Sequence, residues 1–321
     1  MQQVRPAAVA GAFYPGDRDT LAASVAGMLD DARARLAPDT PVPKALIAPH
    51  AGYVYSGPTA ALAYAALLPA RNRLTRVVLL GPTHRVAVDG LALPDAPFFA
   101  TPLGRVRVGE VDPFVRALFP HLVDRADVHA QEHSLEVHLP FLQVALGDVE
   151  VVPLAVGRAA PTVVADVIDA LWGGPETVIV VSSDLSHYLP YAEADLRDEA
   201  TVARLLALDG PITHEDACGA TPVNGLLVSA RRRGMAVHLL ERCNSGDTAG
   251  DRRRVVGYAA LAFTPTPDRA PVWVPRSARG RGRFSPVERS NSVRREVISS
   301  PADSRGAGSP RRPGRSREVL G

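Results

Sequence analysis

The sequence has few cysteines, few lysines, few aromatic residues and no long apolar run, and each shortage narrows what the chain can be. Its two cysteines, Cys218 and Cys243, are too few to build a disulfide framework in 321 residues, which favours a reducing cytoplasm. No run of about 18 apolar residues occurs, so a membrane span is not expected. The first residues, MQQVRPAAVAGAFYPGD, have no apolar core of signal-peptide length. We therefore expect a cytoplasmic protein without a membrane segment.

The charged residues are distributed unevenly along the chain. Residues 264–321 contain 13 arginines and 5 acidic residues, a formal charge of +8, which leaves −6 for the residues before them. This segment is dominated by Arg, Ser, Pro and Gly and cannot bury enough apolar surface to offset its ordering entropy. We predict one folded domain over 1–263 and a disordered basic tail over 264–321. A solvated extension explains the tail more simply than nucleic-acid or lipid binding, because no folded motif accompanies the charge.

Hydrophobic periodicity predicts alternating helices and strands in the folded part. Apolar residues at helical spacing predict helices at 18–36, 58–68, 161–173, 191–208 and 221–233. Asp19 or Thr20 is expected to cap the first of these helices. Apolar runs rich in Val, Ile and Leu predict strands at 44–48, 76–80, 149–157, 177–187 with its exit loop, 235–241 and 255–263. Strands of this kind that alternate with helices predict an α/β fold: a mostly parallel central sheet with helices on both faces.

Three histidines follow three of the predicted strands at the same relative place. His50 comes after KALIA, His84 after RVVLLG and His187 after TVIVVSS. Ligands of open α/β sheets bind in the crevice beyond the carboxyl ends of the strands. A single histidine is more often a hydrogen-bonded structural residue, but three at equivalent strand ends favour a shared site.

Two of these histidines suit a divalent metal, since neutral imidazole nitrogens are common ligands. The loop ERCNSGDTAGD offers Cys243, Asp247 and Asp251 as third ligands for His50 and His84. Two histidines with one carboxylate would favour non-haem Fe(II) with open positions.

The loop after the fourth predicted strand supplies two further candidates. His187 is better placed as a general base or a substrate contact than as a ligand. Asp184 would orient that ring or cap the following turn, and both roles are open.

A second cluster lies in EHSLEVHLPF, which contains Glu132, His133, Glu136 and His138. A zinc peptidase would need HExxH, with histidines four residues apart, whereas these are five apart and fall on different faces of a helix. We therefore assign His133 and Glu136 to the cleft wall or to contacts with the metal ligands. His138 is interpreted as structural.

Seven segments in this order resemble the motif series of the Memo family, also called AmmeMemoRadiSam system protein B: AGAFYPGD, APHAGYVYSG, LLGPTH, EHSLEVHLPF, VSSDLSHY, CGATPVNGLL and NSGDTAGDRRRVVGYAA. The resemblance covers about residues 4–263 and implies a fold like that of class III extradiol dioxygenases, whose iron is held by two histidines and a carboxylate. It implies that His50 and His84 match the family's metal-site histidines, and that Asp184 and His187 match its neighbouring cleft residues.

The third ligand departs from the mammalian pattern, in which it is a cysteine. Counting back from Tyr258 places Thr248 at that position, and Cys243 lies five residues too early. Asp247, in the SGD form common to prokaryotic members, is our substitute. The family's grouping with an AMMECR-type protein and a radical SAM enzyme implies these as partners.

Two functions from different classes follow. The first is a metal-dependent, dioxygenase-like oxidoreductase with Fe(II), or alternatively Cu or Zn, at His50, His84 and Asp247. The second is a non-catalytic module that binds a peptide or protein in a cleft containing Tyr53, Tyr55 and Tyr188.

Overall fold

A computed structural model describes residues 3–266 of the chain, and the predicted tail lies outside the described residues from 267 onward. Within 3–266 the chain forms twelve strands: β1 (Val4–Arg5), β2 (Ala45–Ala48), β3 (Arg76–Pro82), β4 (Leu91–Leu93), β5 (Phe98–Thr101), β6 (Gly104–Val108), β7 (Leu122–Asp124), β8 (Glu150–Val156), β9 (Thr177–Ser182), β10 (His187–Leu189), β11 (Met235–Asn244) and β12 (Val255–Pro265). The same residues form eight α-helices: α1 (Arg18–Arg35), α2 (Tyr53–Ala65), α3 (Pro113–Leu118), α4 (Ala126–Ala130), α5 (Leu139–Leu146), α6 (Pro161–Ala170), α7 (Tyr191–Leu206) and α8 (Ala220–Arg233). Short 3-10 helices lie at Leu68–Ala70, Glu136–His138 and Ser245–Asp247.

The strands form one mixed sheet with a parallel centre. Its main path runs β1-β5-β6-β8-β3-β9-β2-β12-β10, and the five strands from β6 to β2 are parallel neighbours. Strand β12 is antiparallel to β2 and to β11, and β5 is antiparallel to β6. The predicted α/β fold is confirmed, with antiparallel pairing toward the edges of the sheet.

Alternate residues of each central strand enter different apolar layers. In β2, Leu46 and Ala48 join the layer beneath α1, α2 and α5, whereas Ala45 and Ile47 join the layer beneath α6, α7 and α8. Successive side chains of a strand point to opposite faces, so a strand covered by helices on both sides is apolar throughout. This is why the central strands read as continuous runs of Val, Ile and Leu.

The cap of α1, the start of α2 and the end of α6 differ from the sequence prediction, which placed the third of these helices at 161–173. Helix α1 is capped by Asp17, whose carboxylate accepts from the Thr20 N–H at 2.9 Å, rather than by Asp19 or Thr20. Helix α2 begins at Tyr53 and contains Pro58 in its interior, although a proline more often opens a helix. Pro58 and Val54 are both exposed, so water can reach the carbonyl that loses its helical donor.

The structure contains β4 to β7 and α3 to α5 between residues 82 and 148, where the sequence predicts no helix or strand. These strands have three to five residues. Such short segments carry too few apolar positions to display a period.

The amino-terminal segment is tied to the interior by one buried carboxylate. Glu136 forms an ion pair with Arg5 and accepts from the backbone N–H groups of Ala8 and Val9, at 2.7 and 2.9 Å. It also accepts from the hydroxyl of Tyr14 at 2.6 Å. Four donors on one buried carboxylate compensate its loss of hydration. The segment is thereby held in place beside the loop that contains Glu132 and His133.

No helix within the described part of the chain is long and apolar enough to cross a membrane.

We predict that Arg5→Met lowers the free energy of unfolding by about 3–5 kcal/mol, because the Glu136 carboxylate loses its counter-charge while staying buried. Urea unfolding followed by circular dichroism measures the change. Arg125→Met is the matched control, since its pair with Asp127 is exposed and should contribute less than about 1 kcal/mol. Equal losses in the two variants would contradict the structural importance of the buried pair.

Candidate metal centre

Three imidazoles meet at one edge of the sheet. The ring centroids of His50 and His84 are 5.2 Å apart, those of His50 and His133 are 5.5 Å apart, and those of His84 and His133 are 4.6 Å apart. One potential ligand atom from each ring lies within 4.8 Å of those from the other two. Among the described residues this is the group of three or more His, Cys, Asp or Glu side chains close enough to share an ion.

His50 is placed by the end of β2 and by the loop after β9. It follows Ala48 by two residues and is 2% exposed. Its backbone N–H donates to Oδ1 of Asp184 at 2.7 Å. Its Nδ1 lies 2.6 Å from the hydroxyl oxygen of Ser182, the last residue of β9. Since β2 and β9 are adjacent parallel strands, the end of β9 and the loop that follows it supply these contacts.

The Ser182 hydroxyl determines which nitrogen of His50 carries the proton. Its single O–H donates to the backbone carbonyl of Ser134 at 2.7 Å, because a carbonyl can only accept. The same oxygen must then accept from Nδ1–H of His50 and from Nε2–H of His138, at 2.6 and 2.7 Å. His50 is therefore left with a lone pair on Nε2. His138, which also accepts from the Tyr64 hydroxyl at 2.7 Å, has the structural role predicted for it.

His84 is held in the same tautomer by a carboxylate. Its Nδ1 lies 2.9 Å from Oε1 of Glu132, and its backbone N–H donates to Oε2 at 2.5 Å. A carboxylate that accepts Nδ1–H leaves Nε2 of the ring free as a ligand atom, which is the usual support for a metal-bound histidine. Glu132 also accepts from the N–H groups of His133 and Ser134, at 3.0 and 2.9 Å.

The charge state of the site suits metal binding. Burial lowers the pKa of His50 well below its usual range, and the neighbouring His84 and His133 lower it further. Burial also lowers the pKa of His133 to about 4. Burial opposes ionisation of Glu132, but the hydrogen bonds from His84 and Ser134 outweigh it and lower the carboxyl pKa to about 2. Near neutral pH, the imidazoles of His50 and His133 are therefore neutral and the Glu132 carboxylate is ionised.

Asp184 and His187 lie next to this cluster. Burial raises the pKa of Asp184 to about 6, although the N–H of His50 opposes the shift. His187 Nδ1 is 2.8 Å from the carbonyl of Leu185, which accepts its proton and leaves Nε2 available. His187 acts electrostatically on both Asp184 and His50. Asp184 thus contacts the cluster through the N–H of His50, and neither Asp184 nor His187 belongs to the three-imidazole group.

The remaining predicted site residues have other partners. Asp247 is not part of the three-imidazole group; its carboxylate accepts from the Tyr191 hydroxyl at 2.6 Å and from the Asn244 N–H at 3.0 Å. Glu136 anchors the amino-terminal segment, and the Tyr53 hydroxyl donates to the carbonyl of Val137 at 2.6 Å. His133, which sequence analysis placed beside the ligands, occupies the third position of the cluster instead of Asp247.

A cleft of about 910 Å³ opens beside the cluster and is lined in part by His84 and Cys218. This volume is in the range of small-molecule sites. Arg158 and Asp89 form an exposed ion pair at 2.6 Å in its lining. The cleft gives a small ligand access to the side of the cluster that includes His84.

Sequence reasoning missed the roles of Glu132, Ser182 and Cys218. In the sequence, Ser182 belongs only to the motif VSSDLSHY, and Cys218 enters only through the cysteine count and the motif CGATPVNGLL. Glu132 directly precedes His133, so its closeness to that ring was visible, but its contact with His84 crosses 48 residues. No local pattern reports such a contact.

A family model described as "Memo-like protein" matches residues 5–262. A MEMO1 family protein of Pyrobaculum arsenaticum is 32% identical over 285 residues, covering 81% of this chain and 99% of that protein. A MEMO1 family protein of Methanopyrus kandleri is 35% identical over 286 residues, covering 81% of this chain and 98% of that protein.

Among solved structures, an uncharacterized protein from Escherichia coli K12 aligns with a TM-score of 0.42 and 14% sequence identity. The alignment covers 68% of this chain and 98% of the other. Likeness at this level says nothing about the site.

We predict that Glu132→Gln weakens zinc binding by about 10–100-fold, because an amide cannot accept from every donor around this side chain and no longer fixes the His84 tautomer. Competition with a chromophoric chelator measures the affinity, and zinc avoids redox complications. Glu110→Gln, at an exposed position, is the control and should bind as the wild type does. Unchanged affinity in Glu132→Gln would mean that the carboxylate does not support a metal ligand.

Proposed function

The chain belongs to the Memo-like protein family, and on that premise we propose that it is a metal-dependent oxidoreductase whose divalent ion is held by His50, His84 and His133. The observation that carries the proposal is the meeting of three imidazoles, two of which have Nδ1 engaged by an acceptor and Nε2 free. A cleft large enough for a small substrate adjoins His84.

The donor set fits a transition metal better than a hard cation. Calcium and magnesium prefer oxygen ligands, whereas imidazole suits zinc, copper, iron and nickel. Fe(II) is the proposed ion because of the resemblance to extradiol dioxygenases, with copper and zinc as alternatives. An ion of this kind, when bound, supplies Lewis acidity and, if it is iron or copper, electron transfer to or from a substrate.

The protein's side chains would bind the ion, form the cleft that admits a substrate, and transfer a proton. The Asp184 carboxyl, with its pKa raised to about 6 by burial, is close to the range in which a group can both accept and release a proton near neutral pH. His187 keeps Nε2 available because its Nδ1–H is donated to the carbonyl of Leu185. We propose that these two groups exchange a proton with the substrate.

The proposed ligand set replaces the carboxylate of the sequence-based prediction by a third imidazole. Asp247 already accepts hydrogen bonds from Tyr191 and Asn244, and the second of these completes the capping box of the turn at Ser245–Asp247. His133 lies among the other two rings. Because three imidazole nitrogens are neutral, they do not reduce the +2 charge of a divalent ion. This charge favours binding of an anionic substrate or hydroxide.

Metal loading of single variants tests the ligand set. We expect wild-type protein to bind one equivalent of Fe(II) under anaerobic conditions. His50→Ala, His84→Ala and His133→Ala should each bind Fe(II) at least about 100-fold more weakly, because loss of a metal ligand costs more affinity than loss of a residue that supports a ligand. Asp247→Asn is the matched control and should retain the ion. Retention in His133→Ala together with loss in Asp247→Asn would restore the carboxylate assignment. Failure of the wild type to bind iron, copper or zinc would rule the proposal out.

Turnover is tested separately from binding. We expect the iron-loaded wild type to consume dioxygen in the presence of a small reducing substrate, and His187→Ala to lower that rate by about 100-fold or more while leaving the iron content unchanged. An oxygen electrode and a substrate panel measure this. If the iron-loaded protein consumes no dioxygen with any substrate, the proposed oxidoreductase activity is rejected, whereas the proposed metal site is not.

The second candidate is a binding module for a peptide or protein. Exposed apolar side chains flank the metal-centre loops: Val54 and Tyr55, 65% and 38% exposed, follow His50, and Tyr188, 62% exposed, follows His187. The AMMECR-type protein and the radical SAM enzyme implied by the family resemblance are the proposed partners. Binding of either that persists in His50→Ala and His84→Ala, but fails in Tyr188→Ala, would favour a surface contact independent of the ion.

A further inference from the structure

An arginine emerges beside the metal centre at the strand-end position that the metal-centre histidines also occupy. His50 comes two residues after the end of β2 and His84 two residues after the end of β3. Arg158 comes two residues after the end of β8, which is the parallel neighbour of β3, with Val156 paired to Pro82. Since aligned ends of adjacent strands are about 4.8 Å apart, Arg158 begins close to His84.

The cleft extends over the end of β3 toward β8. His84 and Arg158 both line it. In the sheet order β8-β3-β9-β2, Arg158 and His50 lie on opposite sides of the strand that precedes His84. A substrate that reaches the ion through this cleft therefore has its remote end near Arg158.

The backbone fixes the place from which the Arg158 side chain starts. The Arg158 N–H donates to the carbonyl of Val88 at 2.9 Å, and the Arg158 carbonyl accepts from the Gly90 N–H at 2.9 Å. A Cβ at Gly157 would lie only 2.0 Å from the Val88 carbonyl oxygen, so a larger residue could not make this approach. The loops after β3 and β8 are thereby tied together at one end of the cleft.

The guanidinium of Arg158 already holds a carboxylate. Its Nη2 lies 2.6 Å from Oδ1 of Asp89, and the two side chains are 86% and 73% exposed. Apart from histidines, these two are the charged side chains among the described residues that line the cleft. An exposed ion pair of this kind contributes less than about 1 kcal/mol, so a ligand carboxylate can replace Asp89 at little cost.

The wall between the two charged ends of the cleft is largely apolar. Ala87, Val88, Val156 and Ala159 contribute to the lining, and Val88 and Val156 are buried. Such a wall suits the carbon chain of a small molecule, whereas the polar ends fix its orientation.

We propose that the cleft binds a small organic dianion, with one anionic group at the ion and a carboxylate at the other end that pairs with Arg158 in place of Asp89. The inference deepens the proposed function and rests on it, because the ion attracts the first anionic group. The planar guanidinium presents parallel N–H donors that match the two oxygens of the second. Asp89, once displaced, returns to water.

Straight-chain dicarboxylates from succinate to suberate are the probes, each compared with the monocarboxylate of the same number of carbons. Titration calorimetry on the zinc-loaded full-length protein measures the Kd of each. We expect at least one dicarboxylate to bind about tenfold or more tightly than its monocarboxylate, because only the dicarboxylate reaches both charged ends. The series allows for the length of the cleft.

Three variants assign this preference to Arg158. Arg158→Gln should abolish the advantage of the dicarboxylate. Asp89→Asn should increase it by about threefold or more, because the guanidinium loses its internal competitor. Arg253→Gln is the matched control, since it breaks an equally exposed ion pair with Asp251 outside the cleft lining and should bind as the wild type does.

The outcomes separate this inference from the proposed function. Zinc-loaded wild type that binds every dicarboxylate no better than its monocarboxylate would overturn the inference and leave the metal site intact. A preference that persists in Arg158→Gln would overturn it as well. If the wild type binds no zinc, iron or copper, the proposed function is rejected and this inference with it.

Discussion

The candidate site depends on the parallel register of β2, β3 and β9. Ala48 pairs with Ser182 across β2 and β9, and Leu80 pairs with Val181 across β3 and β9. Adjacent strands are about 4.8 Å apart, so residues that follow aligned strand ends begin within side-chain reach of each other. The helices on both faces bury these strands and hold their ends in place. The sheet thereby brings together histidines that lie far apart in the sequence.

Hydrogen-bond acceptors then convert nearby rings into a usable ligand set. Ser182 and Glu132 accept the Nδ1 protons of His50 and His84, and both acceptors are buried. An unpaired polar group at such depth would cost free energy, so each ring is held in one tautomer. Nε2 of His50 and Nε2 of His84 therefore keep their lone pairs and can serve as ligand atoms. The Glu132 carboxylate accepts from His84, His133 and Ser134, so it ties the ring of His84 to the loop that contains His133.

The fold and the two histidines at strand ends could be predicted from the sequence, whereas the third member of the cluster could not. His50 and His84 were predictable because each follows directly upon a buried strand, and strand ends of parallel sheets share one edge. His133 was not, because it lies in a loop between α4 and a 3-10 helix, and that loop is oriented by contacts to Arg5, Ser182 and His84. Asp247 was chosen from its motif, but its carboxylate is used by local hydrogen bonds to Asn244 and Tyr191.

What the sequence by itself determined is the alternation of buried strands and helices, and hence the edge at which His50, His84, Asp184 and His187 emerge. That information is local, since the period of apolar residues and the position of a strand end can be read within about ten residues. Only the tertiary structure decided that His133 completes the cluster, that Glu132 and Ser182 set the ring tautomers, and that Cys218 lies beside His50. The physical reason is that hydrogen bonds and packing between distant segments orient these loops, and no periodicity within a loop encodes its distant partner.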